Sequence, residues 1–85
     1  MDKQLHKAIL EAVNTDTGRL GWVNRVEAAY GNKIFGEAFE YLTGKGYIEN
    51  MGNIDVSPDG RYMVSLQHNT RISEAGLNYL RALKD

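Results

Sequence analysis

The stretch Leu42-Thr-Gly-Lys-Gly-Tyr-Ile-Glu49 joins the end of a helical pattern to the start of a strand. Apolar residues recur at helical spacing before and within it: Ile34, Phe35, Ala38, Phe39 and Leu42. Gly44 and Gly46 then interrupt the helix, because glycine readily adopts the backbone conformations that end one. We therefore predict a helix over about residues 33–43, capped by Asn32, with a strand directly after the glycines.

Two further helical patterns precede this one. Apolar stripes at helical spacing lie in residues 2–14 and again in residues 20–30. The segment between them, Asn14-Thr-Asp-Thr-Gly18, is polar and rich in turn-forming residues, so we expect a loop there. Gly31 is in position to end the second helix.

The segment Ser57-Pro-Asp-Gly-Arg-Tyr62 has the composition of a tight turn. Pro58 restricts its own φ, and Gly60 tolerates a positive φ. Apolar and polar residues alternate on both sides of the turn, which predicts a β-hairpin over about residues 54–66. Ser73 then begins a last helix. The order helix, helix, helix, hairpin, helix predicts a mainly α fold of the α+β class.

Composition limits what the chain can be. Its 85 residues predict a single domain, residues 1–85. There are no cysteines, which excludes disulfides and thiolate metal sites and fits a reducing compartment, so we expect a cytoplasmic protein. Charged residues near the N-terminus argue against a leader peptide, and no apolar run is long enough to cross a membrane.

No arrangement of residues points to catalysis. His6 falls on the polar side of the first helix and His68 follows the hairpin, so both histidines are expected at the surface. There is no glycine-rich phosphate loop, nucleophile elbow or metal-ligand spacing. The segment Asp55-Val-Ser-Pro-Asp-Gly60 imitates the start of a calcium loop, but Leu66 occupies the position of the required glutamate. We therefore expect no enzyme, no cofactor and no metal.

Two of these segments resemble parts of a winged helix-turn-helix domain. Leu42, Gly46, Tyr47 and Ile48 match the positions at which the recognition helix of that superfamily ends and its wing begins. The segment Ile72-Ser-Glu-Ala-Gly-Leu-Asn-Tyr-Leu80 is similar to the one that follows the wing in small bacterial regulators of the MarR or YjcQ type. The match covers roughly residues 20–83 in order. The resemblance implies a small bacterial, plasmid or phage regulator of transcription that binds double-stranded DNA.

The resemblance also implies where DNA would bind. The third helix would lie in the major groove and the hairpin wing on the minor groove or the backbone. Lys33 would meet a phosphate at the start of the helix, and Arg61 would reach a narrow minor groove from the wing tip. Gly36 and Glu40 are expected on the same exposed helix face. The full set of residues expected at DNA is Arg19, Arg25, Lys33, Glu37, Tyr41, Lys45 and Arg61.

Charge supports an alternative function. The net charge is −1, whereas a basic balance is expected of a nucleic-acid-binding domain. Glu37 and Glu40 on one helix face would also repel phosphate. A winged helix that binds a protein partner and no DNA is therefore the second interpretation.

The core is expected where the third helix meets the sheet. Phe39, Leu42 and Ile48 should be buried together there. Trp22 is offset from the apolar stripe of its helix, so it either covers the edge of the core or belongs to a partner surface.

A homodimer on a two-fold DNA site is expected from the same resemblance, formed through the first or the last helix. This arrangement requires that Leu10, Tyr79 or Leu83 be exposed in the monomer.

Overall fold

A computed structural model of the protein describes residues 3–15 and 21–84. The elements follow the predicted order: α1 Lys3–Thr15, α2 Trp22–Tyr30, α3 Asn32–Gly44, β1 Ile48–Val56, β2 Tyr62–Ile72 and α4 Glu74–Lys84. The two strands form an antiparallel hairpin. The fold is therefore mainly α with a two-stranded hairpin, as predicted, and its topology is compatible with a winged helix.

The junction between α2 and α3 is a single glycine. Gly31 has a φ of 91°, and its N–H donates a hydrogen bond of 2.8 Å to the carbonyl oxygen of Glu27. The prediction that Asn32 caps α3 is wrong. Gly31 occupies the N-cap position without a side-chain hydrogen bond, and the amide of Asn32 binds other partners.

Ser73 caps α4, as predicted. Its Oγ accepts a hydrogen bond of 3.0 Å from the N–H of Gly76 and donates one of 2.6 Å to the carbonyl oxygen of Gly46. The same hydroxyl therefore begins α4 and ties it to the turn that follows α3.

The hairpin is longer than the predicted residues 54–66. Ile48 pairs with Ile72 at one end, Val56 pairs with Tyr62 at the other, and the register shifts between these ends. Thr70 bridges the irregular part, because its Oγ1 accepts from the N–H of Gln67 (2.8 Å) and donates to the carbonyl oxygen of Asn50 (2.7 Å). This bulge interrupts the alternation of apolar and polar residues. The hairpin predicted from that alternation is therefore shorter than the observed one.

The core lies where α1 and α3 meet the hairpin and α4. Phe39, Leu42 and Ile48 are all buried, which confirms the predicted cluster. Trp22 is also buried, with its ring centroid 6.2 Å from that of Phe39, so it belongs to the core. The buried apolar residues are Leu5, Ile9, Leu10, Val13, Trp22, Phe35, Ala38, Phe39, Leu42, Ile48 and Leu80.

The prediction that His6 lies at the surface is wrong, whereas His68 is exposed as expected. The polar side of α1 at His6 is covered by aromatic residues of α3 and α4. The His6 ring stacks 5.0 Å from the ring centroid of Tyr41, and its Nδ1 lies 2.9 Å from the hydroxyl of Tyr79. Burial raises the pKa of that Tyr79 hydroxyl above its ordinary value.

Candidate nucleic-acid interface

The first residue of β2 packs on the outer side of α3. The ring of Tyr62 lies so close to Gly36 that a β-carbon at this position would overlap it. The Tyr62 hydroxyl donates a hydrogen bond of 2.8 Å to Oε1 of Glu40, and this bond raises the pKa of the hydroxyl. Gly36 and Glu40 lie one helical turn apart, so the hairpin of β1 and β2, here called the wing, covers this strip of α3.

Asn32 fastens the wing to the start of α3. Its Oδ1 accepts a hydrogen bond of 2.7 Å from the N–H of Tyr62, and its Nδ2 donates one of 2.9 Å to the Tyr62 carbonyl oxygen. The same Nδ2 donates to Oε2 of Glu27 at 2.6 Å. We call Glu27, Asn32 and Tyr62 the wing clamp, because together they join α2, α3 and β2.

Arg61 lies at the edge of the wing clamp. Its Nη2 is 3.5 Å from Oε2 of Glu27, and 65% of its side chain is exposed. The turn before it is ordered by Ser57, whose Oγ donates to Oδ1 of Asp59 and accepts from the Arg61 N–H at 3.2 Å. The Ser57 hydrogen bond and the one from the Arg61 backbone lower the pKa of Asp59. The guanidinium is thus held on a defined turn with most of its surface open to a ligand.

A second strip of α3 remains uncovered by the wing. Lys33, Glu37 and Lys45 are exposed and Tyr41 is half-buried, and successive members lie about one turn apart. The Lys45 ammonium lies 5.7 Å from the centroid of the Tyr41 ring, whose stacking on His6 fixes its position. This strip contains four of the seven residues predicted at DNA.

An open groove of about 930 Å³ separates this strip from α1. Ile34 on its rim is 51% exposed. The lining residues are Lys3, Gln4, Leu5, His6, Ile34, Glu37, Ala38 and Tyr41.

The remaining predicted residues are distributed as follows. Arg25 is exposed on α2, and Arg61 lies near the start of α3 because its neighbour Tyr62 is bonded to Asn32. Arg19 lies outside the described residues. The expectation that Gly36 is exposed is wrong, since it is buried beneath Tyr62, while Glu40 is exposed and bonded to the wing.

Glu27 and Tyr62 were missing from the sequence-based set, and Asn32 was assigned a different role. One feature of the sequence indicated the contact between Tyr62 and α3, namely a glycine, Gly36, inside a predicted helix. Glycine costs a helix interior about 1 kcal/mol relative to alanine, so its presence indicates that another group approaches closely.

No protein-family model, curated protein or solved structure matches the chain. Within residues 3–15 and 21–84, no group of histidine, aspartate and glutamate side chains could hold a metal ion. In the same part of the chain, none of the helices has the length and apolar character needed to span a membrane.

Proposed function

We propose that the protein is a winged helix-turn-helix domain that binds double-stranded DNA and regulates transcription. In this proposal α3 enters the major groove and the turn between β1 and β2 contacts the minor groove or the backbone. The observation that carries it is the wing clamp, which holds the turn bearing Arg61 beside the helix end bearing Lys33.

The charges at this end of α3 support a phosphate contact. The N-terminus of a helix attracts anions through its unpaired N–H groups and its dipole. Lys33 is exposed there and forms no ion pair within residues 21–84, so its ammonium is available to a phosphate. Glu37, one turn further along, is able to accept a hydrogen bond from cytosine N4 in the groove.

A salt titration with variants tests the proposal. Affinity for a labelled mixed-sequence duplex is measured by fluorescence anisotropy at about 50 and about 200 mM salt, where a protein with six phosphate contacts loses about a thousandfold. Lys33→Ala should weaken binding equally across sequences and reduce the salt slope by about one unit. Arg61→Ala should weaken binding most for sites with A/T-rich flanks, whose narrow minor groove attracts arginine.

Arg71→Ala is the matched control. Arg71 lies on β2 and, like Arg61, pairs with a carboxylate, because its Nε is 2.8 Å from Oε2 of Glu49. It is distant in sequence from the turn, so its replacement should leave DNA affinity unchanged. Absence of duplex binding by the parent at about 50 mM salt, or parental affinity in both test variants, would contradict the proposal.

A protein-interaction module is the second candidate, and the groove between α1 and α3 favours it. An exposed Ile34 next to Tyr41 resembles the apolar centre of a binding surface, and the net charge of −1 suits a protein partner better than DNA. If the parent binds no duplex, Glu37, Glu40 and Tyr41 are the first residues to replace in a search for a partner.

A further inference from the structure

Glu27 is an acidic residue beside Arg61 at the end of the molecule that carries Lys33, and Asp59 of the turn is a second one. The Glu27 side chain is only 24% exposed, and its Oε2 contacts the Asn32 amide at 2.6 Å and the Arg61 guanidinium at 3.5 Å. A guanidinium recognises a carboxylate and a phosphate through the same N–H groups. Glu27 therefore occupies, toward Arg61, the role that a DNA phosphate would take.

We infer that Glu27 is a positioning residue that holds Arg61 at the wing turn in the free protein and is exchanged for a phosphate on binding. This inference rests on the proposed DNA-binding function. It adds that the Glu27 carboxylate competes with a DNA phosphate for the Arg61 guanidinium. The Asn32 hydrogen bond keeps the Glu27 carboxylate in position throughout, so only the guanidinium changes partner.

The exchange has two opposing effects on affinity. Holding Arg61 near the start of α3 reduces the side-chain entropy that is lost when DNA binds. Competition opposes this gain and outweighs it. The ion pair must break before the guanidinium reaches a phosphate, whereas an arginine that is 65% exposed is only slightly restricted before binding. The Arg61 side chain is mostly exposed, so its ion pair with Glu27 has the strength of a surface ion pair. Such a strength corresponds to a factor of about two to five in affinity.

Glu27→Gln separates charge from hydrogen bonding. The glutamine carbonyl oxygen can still accept the Asn32 N–H, so the wing clamp is retained, whereas the ion pair with Arg61 is lost. We expect Glu27→Gln to bind the mixed duplex about two- to fivefold more tightly at about 50 mM salt. The gain should shrink at about 200 mM, because salt screens the competing ion pair in the parent.

A double-mutant cycle shows whether Glu27 acts through Arg61. Introduced into Arg61→Ala, Glu27→Gln should leave affinity unchanged, because no guanidinium remains to be released. Glu49→Gln serves as the control for the loss of one carboxylate, since Glu49 pairs with Arg71 and not with Arg61. Circular dichroism melts verify that each variant is folded.

Each outcome decides the inference. An equal gain with and without Arg61, or a gain matched by Glu49→Gln, would mean general charge repulsion and would overturn it while the proposed function stands. Unchanged or weaker binding by Glu27→Gln alone would also overturn it. If the parent binds no duplex at either salt concentration, the proposed function fails and the inference fails with it.

Discussion

Gly36 is a residue whose identity depends on a distant part of the chain. It lies within α3, where alanine would favour the helix by about 1 kcal/mol. The atoms of Tyr62 that a β-carbon would overlap are its own β-carbon and the near side of its ring. These atoms are close to the backbone, so a rotation of the side chain alone does not make room.

We predict that Gly36→Ala destabilises the protein by about 1–3 kcal/mol, because the overpacking exceeds the gain in helix propensity. The measurement is urea unfolding followed by circular dichroism. Gly44→Ala is the control in the same helix, since no atom lies within 4 Å of a β-carbon there, and it should be neutral or stabilising. In a Tyr62→Ala background the cost of Gly36→Ala should fall, and an unchanged cost would show that Tyr62 is not the cause.

Asn32 and His6 show why single residues are difficult to assign from sequence. Asparagine before a helical pattern is a common cap, yet Asn32 bonds to Tyr62, thirty positions later in the chain. His6 lies on the polar side of α1, yet Tyr41 and Tyr79 cover it. Both assignments depend on tertiary contacts, which local periodicity does not contain.

At the scale of elements, the helices could be predicted well and the hairpin only in part. The turn around Pro58 and Gly60 was found, because its residues are required by the local backbone, and Gly60 has the expected positive φ of 86°. At the open end of the hairpin, the start of a strand after Gly46 was predicted, but the last residues of β2 were missed. There the polar run Gln67-His-Asn-Thr70 forms a bulge that a side-chain hydroxyl stabilises.

We predict that Thr70→Val destabilises the hairpin by about 1–3 kcal/mol, because it removes two hydrogen bonds between the Thr70 hydroxyl and the backbone, each contributing about 0.5–1.5 kcal/mol. Thr70 is fully buried, and its Oγ1 bonds to Gln67 and Asn50. Thr43→Val is the matched control, since the Thr43 hydroxyl is buried with no hydrogen-bond partner among the described residues, and its loss should be neutral or stabilising. Thermal unfolding compares the two variants, and equal melting temperatures would contradict the role given to Thr70.

At the scale of the whole molecule, the order of elements followed from periodicity and glycine breaks, whereas the candidate interface did not. Lys33 and Arg61 could be named individually from their positions in a helix start and a turn. Their placement at one end depends on the wing clamp, whose members are distant in sequence. The net charge of −1 did not help to locate the interface, because it does not say where the cationic side chains lie on the surface.

Fewer of the residues predicted to form the homodimer contact remain available for it in the structure. Leu10 is fully buried within the folded chain. Tyr79 is half-buried, and it already contacts His6 through its hydroxyl and stacks on Tyr47 at 4.6 Å. Of the three residues expected to form the contact, the half-buried Leu83 near the end of α4 is the best placed. One protomer measures 36 Å in its longest dimension, close to the separation of about 34–36 Å between half-sites one DNA turn apart.

We predict that sedimentation at micromolar concentration gives a species of twice 9.5 kDa and that Leu83→Lys converts it to the 9.5 kDa monomer. The reason is that a lysine in an apolar contact between two copies must bury its charge or break the contact. Met63→Lys is the control, because Met63 is 51% exposed on the wing and lies on neither terminal helix. A two-fold duplex should then bind two protomers cooperatively, and Leu83→Lys should lose the cooperativity while keeping affinity for a half-site. A parent that sediments only at 9.5 kDa and binds both half-sites independently would show that each domain acts alone.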